Sequence, residues 1–582
     1  MTDYDTLRVK VGGRPITMVE IDLDFCGLTY GVAPCTAALG TTGSQKCFNT
    51  FKTCQAPGAY TKGVKTYRFC SANAFLPIGE TIFPYIEDVD IAPTQLKPSG
   101  FSVSASVTVT LRDFPYHDRG VDPYAGTRGY DQAAQGSFFG KLRARNPYLV
   151  NRVMRVNTGY VDADRTVYTK TRTYFIDRME GPDANGVVKL IGKDLLRFAE
   201  TDKAEAPVTS KGALGTAITA ADTSLMLQPM GIGAEYPSSG TVRVGDELIQ
   251  YTGKSGDQLF GFTRGSDGTA PASHDADDAV QLCIRYTMAS VPSVIADLLT
   301  TYAGISSSRI PLPAWEDEAS TWLAGFTISH VLSKPEGVRK LVESLLESAA
   351  CSLWWDELDA VLRFKAIVPQ PPSGAVPVFD ETRHILAGSL KVKDQEKDRI
   401  SRVVMYLGLS TPVKDVKKEN FRFINVTVDV DGESSNAYGT SATEEILSRW
   451  VPNRTIAQQI SSRLLARYQE TPREVTLRVD AKDHTLRTGD LVDVTSRLIQ
   501  NPDGSPGYIR YIVTEEREAE VGTHYEYVLL QVSSTGVGKL WQIAPDTLPD
   551  WTTATASQQQ TYMFISDDAG VMSDLQPGPR IN

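Results

Sequence analysis

Gly100-Phe101-Ser102-Val103-Ser104-Ala105-Ser106-Val107-Thr108-Val109-Thr110-Leu111 decides the fold class. Apolar side chains hold every second position from Phe101 to Leu111, with serine or threonine between them. Successive side chains of a strand point to opposite faces, so this period of two predicts a half-buried antiparallel strand. Downstream, Thr171–Met179 and Val187–Ile191 carry strand patterns on either side of Gly181-Pro182-Asp183-Ala184-Asn185-Gly186, which predicts a long hairpin. Strand signals return at Phe421–Val430, Glu474–Val479, Leu491–Val494, Tyr508–Thr514 and Tyr525–Val532.

Helical spacing is confined to three places. Val291–Tyr302 carries Val294, Ile295, Leu298 and Leu299, and Pro335–Ala350 carries Val338, Leu341, Val342, Leu345 and Ala349, with Pro335 suited to a first turn. Arg454–Tyr468 repeats Ile456, Ile460, Leu464 and Tyr468 every fourth residue. At 582 residues the chain exceeds what one core supports, and roughly three to five domains are expected. The fold class expected is α+β, mainly β: several small β-barrel or β-sandwich modules with a few helices. Composition divides the chain into an N-terminal segment 1–99, a β domain 100–203 and a Gly-, Thr- and Asp-rich inserted β domain 204–285. An α+β domain 286–370, a second β domain 371–543 containing the helix 454–468, and an extended tail 544–582 follow.

The formal charge of −11 opposes a phosphate-gripping surface, because such binding rests on Lys and Arg. An acidic channel wall would instead repel DNA and let it slide. The N-terminus lacks a basic-then-apolar leader, and no apolar run approaches the roughly 20 residues of a membrane helix. A product made and kept soluble in the cytoplasm, without stable membrane insertion, is expected.

Five of the seven cysteines, Cys26, Cys35, Cys47, Cys54 and Cys70, fall in one short segment. Intervals of eight, eleven and six residues separate the first four, so they lie on loops rather than helix turns. Glycines, Pro34 and threonines let such loops fold back until four thiolates converge. The spacing matches neither zinc ribbons nor bacterial ferredoxins, yet four soft sulfur ligands suit zinc or an iron–sulfur cluster. Disulfides and unlinked thiols are the plain alternatives, and Cys70 is the spare. Cys283 and Cys351 read as small buried hydrophobes.

Catalytic motifs fail on spacing. Gly253-Lys254-Ser255 lacks the glycine that a phosphate loop needs at position 248, where Leu248 stands. His117, His274, His330, His384, His484 and His524 stand singly, each read as a surface or satisfied histidine, without HExxH or GxSxG. Asp113, Asp118 and Asp122, and likewise Asp429 and Asp431-Gly432, read as turns that cap backbone amides before they read as cation sites.

Phe25-Cys26, Tyr30-Gly31-Val32-Ala33-Pro34-Cys35, Lys46-Cys47-Phe48-Asn49-Thr50 and Thr53-Cys54-Gln55 closely resemble the cysteine motif of tail-tip hub proteins of long-tailed phages. Asp113-Phe114-Pro115-Tyr116-His117-Asp118 with Asp122-Pro123-Tyr124, and Gly136-Ser137-Phe138-Phe139-Gly140-Lys141-Leu142, are similar to two further stretches of these hubs. Gly245-Asp246-Glu247, Tyr251-Thr252-Gly253 and Thr263-Arg264-Gly265 with His274 resemble a small β module of phage structural proteins. Leu486-Arg487-Thr488-Gly489-Asp490-Leu491-Val492-Asp493-Val494 is similar to the later part of the hub fold.

The resemblance implies tail-tube-like hub domains in a homotrimeric, non-enzymatic virion component, assembled in the host cytoplasm. It would close the tail tube and open it for DNA ejection. Its implied partners are the distal tail protein ring, the tape measure protein and the central fibre or tip proteins, with DNA as passing cargo. In such relatives four cysteines hold an iron–sulfur cluster, which carries onto Cys26, Cys35, Cys47 and Cys54 as a 4Fe–4S site, with zinc as the alternative. The rival class is an enzyme, an iron–sulfur oxidoreductase or a tail-associated hydrolase, for which the sequence shows no second redox centre and no catalytic constellation.

Overall fold

A computed structural model describes residues 3–9, 14–37, 47–71, 81–97, 100–116, 136–160, 170–201, 203–367, 376–430, 433, 441–500, 503–532, 542–543 and 562–563. The chain is α+β and mainly β. After a short helix, α1 (Asp3–Arg8), come β1 (Pro15–Cys26), β2 (Lys62–Ser71), β3 (Ile82–Ala92), β4 (Gly100–Phe101) and β5 (Ser106–Arg112). The helix α2 (Phe138–Arg145) precedes β6 (Val153–Tyr160), β7 (Lys170–Glu180) and β8 (Val187–Lys193). All but β4 close into a seven-stranded barrel, order β1-β2-β3-β5-β8-β7-β6, which leaves the sheet without an open edge.

Alternation sorts the barrel's faces. Val19, Ile21 and Leu23 of β1 meet Phe69, Val107, Val109, Met154 and Tyr174 inside, while Glu20 and Asp22 pair outside with Arg68 and Arg155. Phe138 and Phe139 of α2 pack against Phe69, Phe83 and Phe114. Gly192 has no room for a side chain: a Cβ there would stand 2.3 Å from Met154 Cε. The 171–191 hairpin forms as expected, as β7 and β8. The single strand expected over 101–111 is instead two. Phe101 leaves the barrel to pair in parallel with Leu353, and the strand restarts at Ser106. The cause is tertiary, because Ser102 N–H donates to the Leu353 carbonyl and the buried Asp194 carboxylate accepts the Ala105 N–H.

Residues 205–290 supply β9 (Glu205–Ala206), β10 (Ala213–Leu214), β11 (Ser224–Gln228), β12 (Gly240–Val244), β13 (Glu247–Tyr251), β14 (Gly253–Ser255), β15 (Gln258–Phe260) and β16 (Val280–Ser290). Lys254 sits in β14 and donates to the carbonyls of Gly233 and Tyr236, so Gly253-Lys254-Ser255 is a strand. The buried Glu247 carboxylate organises the module. It accepts from Arg264 Nε and Nη2 (both 2.8 Å), from the Gly265 and Ala272 amides, and contacts His274 Nε2 at 2.9 Å.

The next unit contains α3 (Val291–Asp297), which runs on as a π-helical turn to Tyr302, and α4 (Leu312–Trp322). β17 (Thr327–Leu332) and β18 (Glu336–Gly337) lead to α5 (Val338–Ala349), then β19 (Cys351–Asp356) and β20 (Val361–Ala366). Sequence periodicity misses α4, whose Pro311-Leu312-Pro313 start reads as loop; burial of Trp315, with its Nε1–H donated to the Leu362 carbonyl, holds it. Pro335 lies outside α5, because Glu336 and Gly337 pair with β9 before the helix begins.

The C-terminal part holds β21 (Val378–Asp380), β22 (Lys391–Asp394), β23 (Arg402–Leu409), β24 (Phe421–Val428), β25 (Thr443–Ser448) and α6 (Arg454–Tyr468). It ends with β26 (Arg473–Asp480), β27 (Leu491–Thr495), β28 (Ile509–Glu520) and β29 (His524–Gln531). A six-stranded sheet runs β21-β27-β28-β29-β26-β22. The helix α6 spans the expected residues, capped by Asn453 Oδ1 accepting from the Ile456 amide. Described helices include none long and apolar enough to cross a membrane.

Buried charges join the barrel to this sheet. Arg172 Nη1 of β7 meets Glu518 Oε2 at 3.0 Å, and Lys170 Nζ meets Glu516 Oε1 at 3.1 Å and His484 Nε2 at 2.7 Å. Trp355 Nε1–H donates to the Thr173 carbonyl, and Tyr160 OH to that of Gly522.

Two outcomes are expected. In the module, burial alone would raise the Glu247 pKa, but the hydrogen bonds from Arg264, His274 and the two amides outweigh it and hold the carboxylate at about 2. Its contribution is therefore complete above the ordinary glutamate value of about 4.3 and lost as pH falls toward 2. Glu247→Gln should lower stability at pH 7 by about 1–3 kcal/mol and flatten that acid loss, read by thermal unfolding across pH. At the barrel interface, Arg172→Met should cost about 3–5 kcal/mol in urea unfolding because it strands Glu518, and adding Glu518→Leu should recover most of it.

Candidate metal centre

Barrel strand β1 delivers the first motif cysteine. Cys26 is its last residue, opposite Lys62 of β2, and the chain then turns through Gly27–Val32 with Gly31 at φ +69°. That sign favours glycine, which carries no Cβ to clash. Cys35 follows, its N–H donated to the Val32 carbonyl at 2.9 Å. The chain reaches Cys47, then Phe51–Thr53 forms a single 3-10 turn whose last carbonyl-to-amide bond, Phe51 O to Cys54 N (3.2 Å), places Cys54.

Asn49 ties these loops together. Its backbone is left-handed (φ +58°), a conformation Asn tolerates better than most residues. Its carbonyl accepts the Cys26 N–H at 2.7 Å, and its Nδ2 donates to the carbonyls of Cys26 (3.2 Å) and Leu28 (2.9 Å). Its own N–H points at Cys47 Sγ, 3.5 Å away. The Arg145 guanidinium of α2 lies over the Phe48 ring at 3.5 Å and docks this lobe on the barrel. The motif contains Asn49, but its role was not read from the sequence; an asparagine two residues after a cysteine, in a segment without helix or strand periodicity, is the signal that could have marked it.

The four motif thiols gather in one electrostatic neighbourhood. Burial pushes the Cys47 thiol up, its hydrogen bond from the Asn49 amide opposes this, and negative charge on Cys54, Cys35 and Cys26 pushes it up further. Tyr60 is raised by burial and then by Asp24, Cys26 and Cys54, so its hydroxyl borders the same cluster. Tyr60 OH and Gln55 Nε2 are buried without a hydrogen-bond partner among the described residues.

Cys70 is elsewhere. It opposes Met18, eight residues along the β1–β2 ladder from the Cys26–Lys62 pair, about 26 Å at about 3.3 Å per residue. It is fully buried with Ile16, Met18 and Ile82. Burial also lifts the Cys283 and Cys351 thiols to about 12, so both act as core hydrophobes. No two of the seven cysteines are joined in a disulfide.

In number and softness the donors fit a four-thiolate group, and Tyr60 OH and Gln55 Nε2 are buried donors left over to hydrogen-bond its sulfurs. Among the described residues, however, no three His, Cys, Asp or Glu side chains stand close enough together to hold an ion. The thiols converge on one region without forming a closed shell. Of the carboxylates read as turns, Asp113 accepts the Phe114 and Phe139 amides at the start of α2, while Asp118 and Asp122 lie outside the described residues, as does the histidine His117. His274 is satisfied by Glu247, while His484 stacks on Tyr525 at 3.6 Å.

No family model matches the chain, and no curated protein matches it. Among solved structures, the chain is similar to a tail protein from Neisseria meningitidis MC58, at 11% identity and TM-score 0.36, covering 77% of this chain and 96% of that one. A 43 kDa tail protein of prophage MuSo2 from Shewanella oneidensis follows at 9% identity and TM-score 0.35, covering 76% and 97%. Prophage tail protein gp18 from Listeria monocytogenes EGD-e stands at 9% and 0.32, covering 77% and 89%.

Replacing Asn49 by Ala removes two side-chain hydrogen bonds and the residue best suited to the left-handed turn. It should accelerate modification of the cluster thiols by a disulfide reagent several-fold, while Cys70, Cys283 and Cys351 stay protected in the native state.

Proposed function

We propose that this protein is the structural hub of a phage tail tip, and that Cys26, Cys35, Cys47 and Cys54 hold an iron–sulfur cluster. What supports the reading is that Asn49 ties the loop after Cys47 to the end of β1 at Cys26, that Cys54, Cys35 and Cys26 act electrostatically on Cys47, and that Cys70 lies far down the ladder. The resemblance of this segment and of Gly136–Leu142 to tail-tip hubs supports it. The architecture agrees: a closed barrel and a second large sheet, locked by buried charges, make rigid building blocks of the kind a tube end requires. The proposed particle component is a homotrimer that continues and closes the tube, meets the distal tail ring, tape measure and central fibre or tip proteins, and opens for DNA passage without catalysing a reaction.

A bound cluster or zinc ion would supply positive charge to four thiolates and tie the end of β1 to loops that bury little apolar surface of their own, since metal binding is coupled to folding. The experiment is anaerobic purification with iron, sulfide and zinc counted per chain, alongside the oligomeric mass. About four irons and about four sulfides per chain are expected, retained in Cys70→Ser and lost in Cys47→Ser. Zinc without sulfide would replace the cluster by a structural zinc site, and an apo protein in both the wild type and Cys70→Ser would overturn the assignment.

A further inference from the structure

A second site lies where the C-terminal sheet meets the helical unit. The sheet buries one face in its own core, with Val492, Tyr511, Val513 and Leu529 all inaccessible. On the other face the register places Leu491 opposite Ile512 and Ile512 opposite Leu530, a row of three apolar side chains across β27, β28 and β29. Among the described residues this row does not close on its neighbours. It walls a cavity of about 150 Å³, completed by Leu96, Ile367, Trp322 and the end of α6.

The cavity's charges are unbalanced. Arg467 lines it while being only 6% exposed; its Nη1 donates to the Gln531 carbonyl and its guanidinium lies 5.1 Å from the Tyr468 ring centroid. Among the described residues no carboxylate lies within ion-pair distance of it. Lys365 Nζ, also on the lining, donates to the Gly489 carbonyl, and Lys97 adds a third cation. The lone acid, Glu318, is engaged by the Ala366 amide. A buried cation without a counter-charge is costly, and an apolar cavity of this size is suited to one small hydrocarbon.

We propose that this cavity binds a small carboxylic acid whose hydrocarbon body, about six carbons, fills the space against Leu491, Ile512 and Leu530 while its carboxylate pairs with Arg467. Guanidinium and carboxylate form the strongest class of protein hydrogen bond, and the apolar row supplies the rest of the affinity.

The test titrates the full-length protein with hexanoate and, separately, 1-hexanol by calorimetry and ligand-observed NMR. Hexanoate should saturate one site per chain and bind at least about tenfold more tightly than hexanol, the worth of a charged hydrogen bond. Arg467→Met should bring the two ligands within about twofold, and Leu491→Phe, at a half-buried position, should abolish both by filling the space. Ile512→Trp is the second filling variant, should Leu491→Phe not fold. Absence of saturable hexanoate binding to the wild type, equal affinity for hexanol, or hexanoate binding that survives a folded filling variant would each overturn the proposal.

Discussion

The buried pairing of Lys170 and Arg172 with Glu516 and Glu518 is the constraint on which the arrangement of the whole chain depends. Its members lie 346 residues apart in sequence, with side chains 4–12% exposed. Desolvating four charges is worthwhile only in one register, because a slip of one residue in β7 or β28 would turn a charge to the opposite face of its strand, away from its partner. The pairing therefore contributes specificity more than net stability: it sets how the barrel faces the C-terminal sheet. His484, stacked on Tyr525 and held by Tyr527 and Lys170, completes that contact without itself carrying charge, since burial and the neighbouring cations Lys170 and Arg172 hold its pKa well down.

This docking reaches the other features of the molecule. With the barrel held against the sheet, the linker carrying Leu96 is drawn to Thr514 of β28, and Phe101 is delivered to β19 instead of completing β5. The same packing leaves the row Leu491, Ile512 and Leu530 facing an imperfectly filled space, while the sheet's other face is closed. At the opposite end of β1 the cysteine lobe depends on different forces: local hydrogen bonds, foremost those of Asn49, and the contact of Arg145 with the Phe48 ring. Loops held by local hydrogen bonds and not by a core of their own are the places where a bound metal would add most to stability.

Local patterning determined much of the protein. The strand patterns of Thr171–Met179, Val187–Ile191 and the C-terminal strands, and the four-residue step over Arg454–Tyr468, report segments that pack against a core, so these elements were legible in the sequence. The placing of Cys35, Cys47 and Cys54 outside regular strands was legible for the same reason, since glycine and proline punctuate the chain locally, whereas Cys26, expected on a loop, closes β1. Tertiary structure alone decided the rest. It separated Cys70 from the motif by placing it eight rungs down a ladder, broke the 101–111 alternation by offering Phe101 a partner strand, and found Glu247 its arginine, histidine and amides. Those outcomes depend on groups brought together from distant positions, and neither burial nor charge pairing between them has a period that the chain could display along its length.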